Sequence, residues 1–117
     1  PFNHATYTES GHLFELDDTR DHERVSLQHR SGTYFEWQPD GSSHSRIVKD
    51  NYTAILNDNE IFIGGKVNIK VLGNATLDIG GDLKADVAGK TDITGSKDIT
   101  VIAPIIDLNG KTIKLNS

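Results

Sequence analysis

A glycine stands at every eighth residue through the middle of this chain, at Gly65, Gly73, Gly81 and Gly89. Counting back in eights from Gly65 meets Asn57, Lys49, Gly41 and Thr33. Asn57 keeps the register, because asparagine is the best non-glycine occupant of a left-handed backbone position. A period this regular means a stack of like units, each too small to bury its own apolar face. The spacing predicts a kink with positive φ at Gly41, Asn57, Gly65, Gly73, Gly81 and Gly89.

Between kinks the side chains alternate. From residue 59 to 95, twelve of the 15 positions lying two, four and six after a kink are apolar, against three of 14 between them. Period-two alternation marks a strand with one buried face. The row predicted to face inward is Phe35, Trp37, Ile47, Ile55, Ile61, Ile63, Val67, Ile69, Val71, Leu77, Ile79, Leu83, Val87, Ile93, Ile99 and Val101. The opposite row is polar and of mixed sign, with Lys66, Lys70, Asp78, Asp82, Lys84 and Asp86.

Such a unit does not read as a hairpin meander, because reversing a chain usually takes two or more Gly, Asn or Asp positions. A single wound chain usually spends far more residues on each coil, although a plain single-chain β-solenoid stays open as a reading that predicts a monomer. Three chains winding together fit eight residues better, each supplying one face of a triangular prism. Folding and assembly would then be one event. The expected fold is therefore all-β: an intertwined triple-stranded β-helix, a homotrimeric prism built on octads and preceded by a short antiparallel β region. Residues 1–32 are expected to hold the antiparallel strands, 33–98 the octad helix and 99–117 a narrowing tip. The repeat slips at that last boundary, where Lys97 replaces a glycine, Gly95 comes early and Pro104 lacks a ladder donor.

Composition narrows the function. A net charge of −5 argues against nucleic acid as the main partner. Zero cysteines exclude a disulfide framework, a thiolate metal site and a cysteine nucleophile. No apolar run approaches the length of a membrane helix. All five histidines and all four arginines lie before residue 47, so the chain has two textures. It opens at Pro1 without a methionine, which points to a piece of a longer protein.

Candidate chemistry is sparse. The acids Asp17, Asp18, Asp21 and Glu23 lack the glycine and terminal glutamate of an EF-hand loop. They sit between two alternating runs, where a polar hairpin loop is expected and Asp18 or Thr19 makes a local turn hydrogen bond. His4, His12, His22, His29 and His44 show no ligand spacing, so no metal site is assigned, although three copies of one histidine could meet on a three-fold axis. Phe35, Trp37 and Pro39 are predicted to plug the head of the helix. Ser43, Ser45, Asn51, Thr53 and Asn59 follow as inward polar positions that should bond across the axis. No cofactor is expected, beyond an axial ion or water near Ser43, Asn51 or Asn59. No catalytic constellation is found, and the chain reads as not an enzyme.

The run from Gly65 to Gly89, with Ile or Val two before each kink and Lys, Asn or Asp after it, resembles the triple-stranded β-helix of central spikes from contractile-tail phages. Upstream, Ser10 to Ser42 resembles the same family's lead into that helix, through Gly11-His12, Asp17-Asp18-Thr19, Glu23-Arg24-Val25 and Ser31-Gly32-Thr33. The segment Ala103 to Gly110 resembles its terminal part. The resemblance implies a homotrimeric needle in the virion's tail baseplate, driven through the host outer membrane towards the periplasm when the sheath contracts. Its implied partners are two identical chains, upstream spike or hub domains, a tip-capping protein, and transiently the outer membrane. Family members often carry an OB-fold or lysozyme domain upstream; neither is visible here. Some spikes hold iron in a terminal His-x-His pair, which this chain lacks, having no histidine after His44.

Type VI secretion spikes share the architecture and form one alternative. A trimeric receptor- or glycan-binding fibre or tailspike forms another. A depolymerase needs paired carboxylates in a cleft, whereas Asp78 and Asp86 are expected on a convex face. Glycan binding lost on substitution of Phe62 or Trp37 would favour that alternative.

Overall fold

The computed structural model describes residues 3–116. Among them the only regular elements are five strands, with no helix: β1 (Asn3–Tyr7), β2 (Leu13–Asp17), β3 (Arg24–Gln28), β4 (Tyr34–Trp37) and β5 (Ser43–Arg46). They form one antiparallel meander in chain order. The all-β expectation holds. Residues 1–2 and 117, the ends of the expected first and last segments, lie outside the described residues.

Three of the four hairpins are built the same way. Thr8, His29 and Gln38 each accept from a glycine three residues on, Gly11, Gly32 and Gly41, and donate to the carbonyl of the next residue. The glycines have φ of 97°, 100° and 90°. This is a tight turn followed by one left-handed residue, which matches the twist of the flanking strands. The remaining hairpin gives that role to Asp21, at φ 65°, and closes with the His22 N–H on the Thr19 carbonyl at 2.8 Å.

The sheet runs on past residue 32, through β4 and β5 to Arg46. Gly41, expected as a kink within the helix, is instead the left-handed residue of the β4–β5 hairpin and does reverse the chain. Pro39 fixes φ just before it, and the Asp40 side chain accepts from the Ser42 N–H at 2.9 Å.

The chain divides into two units, one ending at Val67 and one beginning at Asn68. After the sheet, the first unit continues without regular pairing and bends at 48–49, 56–57 and 64–65. The second bends at 72–73, 80–81, 88–89 and 96–97, and then at Pro104 and Lys111. As far as 96–97 the bends keep a period of eight.

The positive φ expected at Asn57, Gly65, Gly73, Gly81 and Gly89 is absent; the octad bends lie outside the left-handed region. The reason is visible at 49 and 97, where lysine occupies the same bend. A left-handed turn would disfavour lysine, whereas a pivot at negative φ accepts it. The repeat also persists at 96–97 without a glycine in place. Gly95 comes early because a Cβ there would lie 2.9 Å from the Ile99 side chain and 3.0 Å from the Asp98 carbonyl oxygen.

Candidate functional site

Register sorts the sheet into two unlike faces, since directly paired residues share a side. On one lie Glu15, Ser26, Glu36 and His44 in a cross-strand row, flanked by Arg24 and Gln28. On the other lie Phe14 opposite Leu27, Leu16 opposite Val25, and Trp37 beyond Val25, with Phe35 opposite Ser45.

The polar face is the covered one. Ser26 is 1% exposed and Glu15 7%, the only fully buried residues among those described. Arg24 holds them together by pairing with Glu15 and reaching Glu36 at 3.5 Å. Asn3 donates to the second Glu15 oxygen at 3.1 Å, and Gln28 donates to the Ser26 hydroxyl at 3.2 Å. Charges this close to burial are tolerated only when paired.

The apolar face is open. Phe14, Leu16, Leu27, Phe35 and Trp37 are all exposed, and the rings of Phe35 and Trp37 stack with centroids 6.4 Å apart. Beside them Ser43 and Ser45 lie on the same face, opposite Trp37 and Phe35.

The rest of the sequence-derived inward row is equally uncovered. In the first unit Ile47, Ile55, Ile61, Ile63 and Val67 are exposed. In the second, Ile69, Val71, Leu77, Ile79, Leu83, Val87, Ile93, Ile99 and Val101 are too. Among the described residues no apolar side chain is buried. Nor, among the described residues, does any backbone–backbone hydrogen bond join residues beyond Arg46 within the chain. A peptide backbone with this many apolar neighbours finds its partners in another strand when that face is buried. The inward polar positions Asn51, Thr53 and Asn59 are exposed as well.

The acidic loop turns its carboxylates onto its own backbone. Asp17 accepts from the Thr19 N–H at 3.0 Å, and Glu23 accepts from the Asp21 N–H at 3.1 Å. Thr19 takes part in the expected turn bond, and the acceptor is Asp17, not Asp18. The Thr19 side chain, then its backbone N–H, holds the Asp17 carboxyl below the usual carboxylate range. The backbone N–H of Ser42, then its side chain, does the same for Asp40.

Sequence spacing did not reveal that His12 and His29 meet. Pairing of β2 with β3 brings their rings to 4.6 Å between centroids. The Nδ1 of His12 accepts from the Arg30 N–H at 3.2 Å, and that of His29 from the Ser31 N–H at 3.1 Å. Both imidazoles thus fasten the turn that joins β3 to β4.

No protein-family model matches the chain. It is 42% identical over 77 residues to the protein named Gp5 of Vibrio phage KVP40, covering 66% of this chain and 18% of that protein. It is 36% identical over 74 residues to the pre-baseplate central spike protein Gp5 of Enterobacteria phage T4, covering 63% of this chain and 13% of that protein. The resemblance to phage central spikes is thus borne out by two phage relatives that share the name Gp5, one of them a pre-baseplate central spike protein. The chain spans less than a fifth of the length of these curated relatives.

Proposed function

We propose that this chain forms part of the shaft of a homotrimeric spike in a phage tail baseplate, which penetrates the host outer membrane mechanically when the tail contracts. The observation that carries this reading is an octad segment with one apolar row, regular bends and no internal hydrogen-bond ladder. Two further copies would cover the row and complete the ladder, which one chain leaves open. The similarity to a pre-baseplate central spike protein supports the baseplate as its place.

The work required of such a part is mechanical and not catalytic. A continuous ladder between chains and a dry axis resist buckling, while a polar surface of mixed sign limits adhesion to what is pierced. The open apolar face of the sheet, with Phe14, Leu27, Phe35 and Trp37, would meet its counterparts at the head of the prism. Ser43, Asn51 and Asn59 would lie below it as polar positions able to bond across the axis or enclose water or an ion.

Light scattering of the purified chain tests the reading. The expected mass is three times 12.8 kDa, retained in SDS without boiling. A mass of 12.8 kDa in solution would overturn the trimer and with it the spike.

A further inference from the structure

We infer that the outward charges of the octad segment form attractive ladders between neighbouring copies of the chain, each charge standing beside the residue eight further along its neighbour. The inference rests on the trimeric reading above and adds which residue of one chain stands beside which of the next.

Geometry supplies the candidates. In a three-sided prism of three chains, each bend would carry a chain from one face to the next, so consecutive octads of one chain would lie on different faces. The strand beside a given octad then belongs to a neighbouring chain, one octad further along. Residue i of one chain stands beside residue i+8 of its neighbour, in strands about 4.8 Å apart.

At that spacing the outward row pairs opposite charges. Asp58 meets Lys66, Lys70 meets Asp78, and Lys84 meets Asp92, while Lys90 lies between Asp82 and Asp98. Only Asp50 with Asp58 and Asp78 with Asp86 are alike. Five of the seven charged pairs are therefore attractive.

The competing arrangements fare worse. Copies paired in register, residue i beside residue i, would stack every charge on its own kind. A single wound chain of three octads per turn stacks i on i+24, which puts Asp58 on Asp82 and Lys66 on Lys90 and leaves only Glu60 with Lys84 opposite. Like charges directly across adjacent strands are destabilising.

Within one chain these groups are almost unused. Lys90 and Asp92 approach to 3.4 Å while both stay largely exposed, and among the described residues this is the only ion pair beyond Arg46. The other outward lysines and aspartates are free to meet a second chain.

The test reverses one charge and reads a sign. In the staggered trimer Lys66→Glu faces Asp58 of a neighbour three times over. Its unfolding midpoint at low salt should fall by about 2–6 °C. The pair Asp58→Lys with Lys66→Glu should restore it, and about 1 M salt should erase the difference. Lys90→Glu, flanked on both sides, should fall about twice as far and recover with Asp82→Lys and Asp98→Lys. A rise on Lys66→Glu would mean a single wound chain, and no change would mean that these charges do not meet between chains; either overturns the inference. The mass of the unmutated chain separates the two failures. A monomer removes the trimeric reading itself, whereas a trimer indifferent to Lys66→Glu removes the ladder alone.

Discussion

Phe14 lies directly opposite Leu27 across β2 and β3, yet the two are 46% and 53% exposed. One register step away, Glu15 and Ser26 are buried. The sheet covers its polar face with its own long side chains and leaves its apolar face exposed.

Assembly should therefore fail at one row and survive at the next. Val71 and Leu72 are adjacent and both exposed in the single chain, but only Val71 belongs to the inward row. In the proposed trimer Val71→Asp would put three carboxylates on the axis without partners, a cost of several kcal/mol for each. Light scattering should find the Val71→Asp and Leu27→Asp chains no longer trimeric. Leu72→Asp should leave the mass unchanged; equal loss from Leu72→Asp would contradict the assignment of the two faces.

Arg24 is the fastener of the polar face, touching both Glu15 and Glu36. Arg24→Met would leave two carboxylates close together, one of them buried. With Arg24 itself 39% exposed, solvent screens part of the effect, and the expected loss is about 1–3 kcal/mol in urea unfolding. Glu15→Gln, whose amide oxygen can still accept from Arg24 while its amide N–H2 turns to Asn3, should cost less. A larger loss from Glu15→Gln than from Arg24→Met would show that the arginine is not what holds the face together.

The sequence made some of this legible and hid the rest for definite reasons. Octad periodicity is written in Gly65, Gly73, Gly81 and Gly89, and the bends fall there. Alternation in "HLFEL" and "RVSLQH" correctly placed a hairpin around the acidic loop. What spacing cannot carry is register. His12 and His29 are 17 residues apart, and Arg24 meets Glu15 and Glu36 at separations of nine and 12, contacts set by which strand pairs with which. The sign of φ at the octad glycines was also hidden, since glycine permits both signs. The lysines at 49 and 97 were the available clue to it.

Glycine substitutions should separate the two kinds of turn. Gly32 has φ of 100° in its hairpin, so Gly32→Ala should cost about 1–2 kcal/mol, as a side chain forced into the left-handed region does. Gly73 has no positive φ, and a Cβ there meets nothing within 4 Å in its own chain. Gly73→Ala should stay within about 0.5 kcal/mol, in keeping with the asparagine and lysines at equivalent bends. A Gly73→Ala loss as large as that of Gly32→Ala would mean that the next chain passes close against this bend.

Acid should loosen two hairpins before the rest of the sheet. Asp17 and Asp40 both titrate below the ordinary value of 3.8 in the folded chain, because Thr19 and Ser42 donate to their ionised carboxyls. A folded value depressed below the unfolded one contributes stability that is fully present above about pH 4. That contribution is lost as pH falls through the folded values, when protonation removes the acceptors' charge. Amide exchange at Thr19 and Ser42 should accelerate below pH 4, ahead of exchange in the strands. In Asp17→Asn with Asp40→Asn the side-chain acceptor remains but cannot titrate, so the acid slope of stability should flatten below pH 4. An unchanged slope would show that Asp17 and Asp40 are not the groups through which acid acts on these hairpins.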